Sequence, residues 1–234
     1  MSQLRQIAKQ DAKPKYPVTI PSTETKTKMS PFLVKDEKVL LMAAESKDTK
    51  QMMSALKQVV ARSVDGVDVD RLAPYDLEYL FLKLREISVG ETTDVVIRCS
   101  SCETENKQKI NLTELKVIKD EKHESKIKIS ENMMFIMKYP DLEKVEINEA
   151  DPDSAINMFV ESVDTVVYGE DMIKITPAEK ADLLEIIENL TTKQFNHLKD
   201  FFETMPKLNL DVSFKCGSCG ADNDVVLSGL ADFF

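Results

Sequence analysis

The chain has 234 residues, enough for one large domain or two small ones with a core of useful size. It carries 31 Lys and Arg against 41 Asp and Glu, a net charge of −10, which argues against a general affinity for nucleic-acid phosphates. No apolar run approaches the roughly 20 residues needed to span a bilayer. Residues 1–30 also lack the apolar stretch of a secretory signal, despite Arg5, Lys9, Lys13 and Lys15. The expected setting is a reducing cytoplasm, where paired cysteines more often hold metal than form disulfides.

Residues 1–30 are polar and broken by Pro14, Pro17 and Pro21, with a Ser/Thr/Lys-rich run at 22–30. They read as an extended N-terminal arm with a short strand at 18–20, either loose or ordered by a partner. Six Lys and Arg against two Asp and Glu in this stretch oppose the charge of the whole and suit docking on an acidic neighbour. Residues 31–90 read as a helical region, with helices at about 34–44 and 49–63. In the second, Met52, Met53, Leu56, Val59 and Val60 recur at helical spacing; the methionines suit core filling or a partner face. Asp65, Asp68 and Asp70 lack the glycine and terminal glutamate of a calcium loop and read as a polar connection. Pro74 then opens a third helix with Tyr75, Leu77, Leu80, Phe81, Leu84 and Ile87 on its apolar face, ended by Gly90.

Residues 91–115 carry Cys99 and Cys102 between strand-like flanks, and residues 207–234 repeat the arrangement with Cys216 and Cys219. There are 4 cysteines in all, two Cys-x-x-Cys pairs. Two residues between ligands let a tight turn present both sulfurs, and zinc favours four thiolates at about 2.3 Å. A redox pair normally opens a helix, whose N-terminus depresses the thiol pKa. Here polar turns lead into second strands instead, with Gly220 supplying one turn. Two distant hairpins closing on one structural zinc ion is the preferred reading, over disulfides or redox pairs. Four thiolates leave no open position for catalysis.

Between the hairpins, residues 116–206 form an α+β insertion. A β-hairpin is expected around 126–139, closed by Pro140, and then a helix over about 154–168 with Ile156, Phe159, Val160, Val163 and Val167 inward. Thr176, Pro177 and Glu179 predict one capped helix start, and Thr191 with Gln194 another before Phe195, Leu198, Phe201, Phe202 and Met205. His123 and His197 stand among charged residues and read as solvated. Phe233 and Phe234 suit packing over their own ribbon or insertion into a neighbour, so both are candidate partner-binding residues. No phosphate loop, nucleophile elbow or His-Glu-x-x-His occurs, so no enzyme activity is expected.

The fold class that follows is α+β: a helical body, a β-hairpin insertion and a zinc-ribbon module. Four stretches together resemble the baseplate hub family of T-even-type contractile-tail phages. They are PFLVKDEKVLLMA at 31–43, YDLEYLFLKLREISVGE at 75–91, the two cysteine knuckles, and GLADFF at 229–234. The resemblance runs from about residue 17 to the end. It implies a structural subunit or assembly factor of the central hub, with the four cysteines on zinc and no catalytic residues. Its partners would be other hub or tail proteins, in the host cytoplasm during assembly or in the finished tail, with neither nucleic acid nor membrane involved. The alternative is a zinc-ribbon adaptor of a nucleic-acid or transcription complex.

Overall fold

The computed structural model describes residues 14–46, 48–141 and 152–233. Strands β1 (Tyr16–Thr19) and β2 (Lys26–Met29) pair antiparallel, Tyr16 opposite Met29. Helices α1 (Val34–Ser46), α2 (Thr49–Ser63) and α3 (Pro74–Ser88) follow. Strands β3 (Thr92–Arg98) and β4 (Glu105–Asn111) form the next hairpin, and β5 (Lys116–Ile118) a short strand after it. Then come β6 (Lys126–Lys128), β7 (Met133–Met137), α4 (Pro152–Ser162), β8 (Val163–Tyr168) and β9 (Asp171–Lys174). Helices α5 (Lys180–Glu188) and α6 (Thr192–Glu203) lead to the last hairpin, β10 (Lys207–Lys215) with β11 (Asp222–Ser228). A 3-10 turn over Leu230–Phe233 follows.

The chain divides into two compact units. One comprises residues 1–116 and 208–234, the other residues 117–207. In the first, apolar residues at helical spacing in α2 and α3 meet face to face: Val59, Val60, Leu80 and Leu84 are wholly buried. Each such side chain contributes about 1.5–3 kcal/mol relative to exposure. The chain before α1 joins this core. Val18, Ile20 and Met29 are buried against it, so residues 16–29 are a packed hairpin where the sequence suggested an extended arm. Its turn is fixed by Asp76, wholly buried at the start of α3. One carboxylate oxygen accepts from the Ser22 amide at 2.8 Å and the other from the Ala73 amide at 3.2 Å. One side chain thereby satisfies a helix-end donor and anchors a turn 54 residues away. Asp36 works similarly, accepting from the Leu33 amide at 3.0 Å and from the Arg62 guanidinium at 2.9 Å, which joins α1 to α2.

The second unit is a four-stranded antiparallel sheet in the order β6–β7–β8–β9, with α4 to α6 contributing to its core. The predicted capping box is present at α6: the Thr191 hydroxyl accepts from the Gln194 amide, and the Gln194 side chain accepts from the Thr191 amide at 2.9 Å. At α5 the Thr176 amide donates to Glu179 at 2.9 Å, but the helix proper begins only at Lys180. The helix expected to run to residue 168 ends at Ser162. Val163, Thr165, Val166 and Val167 continue as β8 because their branched side chains suit a pleated strand held between β7 and β9. Phe159, Phe195, Phe201 and Phe202 interlock beneath, with Phe159 and Phe202 edge-to-face at 4.8 Å.

Candidate metal centre

Strands β3 and β4 pair from Thr92 opposite Asn111 to Arg98 opposite Glu105, and Cys99–Cys102 sits in the turn between them. Strands β10 and β11 pair from Asn209 opposite Ser228 to Lys215 opposite Asp222, with Cys216–Cys219 in that turn. The two turns have the same backbone hydrogen bonds. The Cys99 amide donates to Thr104 O at 3.0 Å and the Glu103 amide to Cys99 O at 2.9 Å. In the second turn the Cys216 amide donates to Ala221 O at 2.8 Å and the Gly220 amide to Cys216 O at 3.0 Å. Each requires a left-handed residue just after its second cysteine: Gly220 at φ 75° and Glu103 at φ 57°. Glycine adopts this without cost, and glutamate does so with strain.

The tips of the hairpins bring all four sulfurs within 4.8 Å of one another. Across the turns, Cys99 Sγ lies 3.7 Å from Cys219 Sγ, and Cys102 Sγ lies 3.7 Å from Cys216 Sγ. A regular tetrahedron of thiolates around zinc at about 2.3 Å has edges of about 3.8 Å, so the cluster is compatible with zinc. All four cysteines are free thiols; Cys99 and Cys216 are buried, Cys102 and Cys219 exposed. The electrostatics also suit a cation. The amides of Cys219 and Ser218 lower the Cys216 thiol to about 6. Those of Ser101 and Cys102 lower Cys99. Cys219 has the Ala221 amide in its favour, yet the adjoining Cys102 sulfur, burial, and the Cys216 and Cys99 sulfurs push it up to about 12. Packed thiols resist becoming four thiolates together unless a positive ion compensates their charge.

Two residues missed in the sequence complete the centre. Asn106 and Asn223 are buried, each four positions after the second cysteine of its own turn, and each reaches across to the other. Asn106 accepts from the Gly217 amide at 3.0 Å and points its Nδ2 at Cys216 Sγ, 3.6 Å away. Asn223 accepts from the Ser100 amide at 2.9 Å and points its Nδ2 at Cys99 Sγ, also 3.6 Å away. The shared spacing Cys-x-x-Cys-x-x-x-Asn was the available signal.

Phe233 is 1% exposed within its own chain, so its ring is covered without a neighbour; Phe234 lies outside the described residues. The 3-10 turn before it is held by Asp232, which accepts from the Ser228 amide at 2.6 Å. His197 is exposed as expected. His123 is half-buried instead, its Nδ1 3.0 Å from Thr204 Oγ1 and its Nε2 3.1 Å from Tyr139 OH.

A family model described as T4 bacteriophage base plate protein matches residues 13–234. No curated protein and no solved structure matches the chain.

Proposed function

Because the chain belongs to the T4 bacteriophage base plate protein family, we propose that it is a non-enzymatic component of the baseplate's central hub, as structural subunit or assembly factor. We further infer that Cys99, Cys102, Cys216 and Cys219 hold one structural zinc ion. The observation that carries the metal reading is the cluster itself, four sulfurs within 4.8 Å with cross-turn edges of 3.7 Å. Such a set closes the coordination sphere, so the ion would stabilise the fold and offer no position to a substrate. Bound metal joins residues before the 117–207 unit to residues after it, making the first unit dependent on both segments.

The partners on this reading are other hub or tail proteins. A net charge of −10 disfavours the nucleic-acid adaptor. Purification of a tagged chain from infected cells, with mass spectrometry of what accompanies it, tests the hub assignment. Recovery of hub proteins supports it. Recovery of polymerase or ribosomal proteins instead moves the function to the adaptor. Elemental analysis of the purified chain tests the metal separately, with one zinc per chain expected.

A further inference from the structure

We infer that Asn106 and Asn223 form a reciprocal clasp, each guarding the buried sulfur of the opposite turn, so that soft electrophiles attack the metal site at Cys102 and Cys219. This rests on the reading that the four thiols hold a metal ion.

The contacts cross between the turns. Cys99 receives the Ser101 amide at 3.4 Å and the carboxamide of Asn223 at 3.6 Å. Cys216 receives the Ser218 amide at 3.4 Å and the carboxamide of Asn106 at 3.6 Å. Each carboxamide is used at both ends. Besides its sulfur, Nδ2 of Asn106 donates to Thr104 O at 2.8 Å, and Nδ2 of Asn223 to Ala221 O at 3.0 Å. Each Oδ1 meanwhile accepts from the amide that follows the first cysteine of the other turn. Asn223 Oδ1 also accepts from the Ser100 hydroxyl at 3.0 Å. The amide groups therefore fix each turn's orientation towards the sulfur it must meet, and the carboxamide N–H adds to the backbone amides that draw charge from each buried sulfur. Cys102 and Cys219 lie exposed, and Cys102 is directed at Thr104 Oγ1, 3.3 Å away.

Burial alone protects Cys99 and Cys216 equally in any variant. The clasp predicts a crossed pattern that burial does not. The metal-loaded full chain is treated with N-ethylmaleimide and the modified cysteines are mapped over time. In the covalent step the thiolate sulfur adds to an alkene carbon of the maleimide, the resulting enolate takes a proton from water, and the metal loses one ligand. In the unsubstituted chain Cys102 and Cys219 react first. Asn223→Asp keeps the acceptor and removes the donor, so Cys99 becomes fast while Cys216 stays slow; Asn106→Asp does the reverse. Each substitution also weakens metal affinity by about 10–100-fold, the usual effect of losing a group that supports a ligand. Unchanged order, or acceleration of the cysteine on the substituted turn instead, overturns the clasp.

A second measurement needs no substitution. Ser100 and Gly217 are exposed residues, and among the described residues their amides donate only to the two asparagines. Hydrogen exchange should find both amides slow in the unsubstituted chain as purified. Fast exchange of the pair overturns the clasp, and it decides the matter if an asparagine variant merely unfolds and exposes all four sulfurs. Metal content, measured first, reports on zinc independently: a chain that binds none defeats the zinc reading while the exchange result still judges the clasp.

Discussion

Single side chains carry much of the long-range order, and His123 gives one a pH signature. Thr204 Oγ1 donates to Asp200 O at 2.6 Å, which leaves its oxygen to accept from Nδ1–H of His123 and leaves Nε2 to accept from Tyr139. This network suits the neutral ring. Burial lowers the His123 pKa below its ordinary 6.5, against the opposing pull of Asp120. A base with a depressed folded pKa contributes stability that is full above 6.5 and lost as pH falls through the lowered value. Thermal unfolding should therefore shift to lower temperature as the buffer is acidified below 6.5, and His123→Gln should flatten that slope. Asp76 is a second case. Asp76→Ala orphans the Ser22 and Ala73 amides and should cost on the order of 2–4 kcal/mol in denaturant unfolding, with Asp76→Asn between it and the unsubstituted chain. Neither role is legible in sequence, where a first-turn aspartate or a histidine among charges looks solvated. The meeting of the four cysteines was legible because two Cys-x-x-Cys turns of the same shape suggest it. Their asparagine partners matter only once the two turns face one another.

Among the elements, α2 and α3 could be read from apolar spacing because one broad face of each is buried against the same core. Residues 163–168 could not, since a short branched run is compatible with either a helix end or a strand until β7 and β9 flank it. Strand β2 was hidden for another reason: in Lys-Thr-Lys-Met only Met29 is fully buried. Two substitutions test element-level claims. Thr191→Ala removes the α6 cap and should cost about 1 kcal/mol, read as a lower denaturation midpoint. Glu103→Gly places in the first cysteine turn the residue type that the second already has. It should stabilise the fold by roughly 1 kcal/mol, read as a higher denaturation midpoint, the left-handed strain relieved.

At the scale of the molecule, the first unit is assembled from two separated stretches, whereas the second has its own sheet and aromatic core. On the proposed zinc reading, chelation should raise hydrogen exchange in both cysteine hairpins together, at residues 92–111 and 207–228, while β7 and β8 keep their protection. Exchange rising in one hairpin alone would show that the ion does not join them.

That separation also bears on how the protein is made. Cys102 and Cys216 are 114 positions apart, so the first hairpin leaves the ribosome long before its counterpart exists. At roughly 5–20 residues per second, the wait is about 6–23 s. Through that interval the first two sulfurs of the cluster stand without the other two. The residues in between have time to fold as a unit before the last hairpin arrives. Closure of the cluster is then a late event in the protein's synthesis, and a chain cut short anywhere before Cys219 never reaches it.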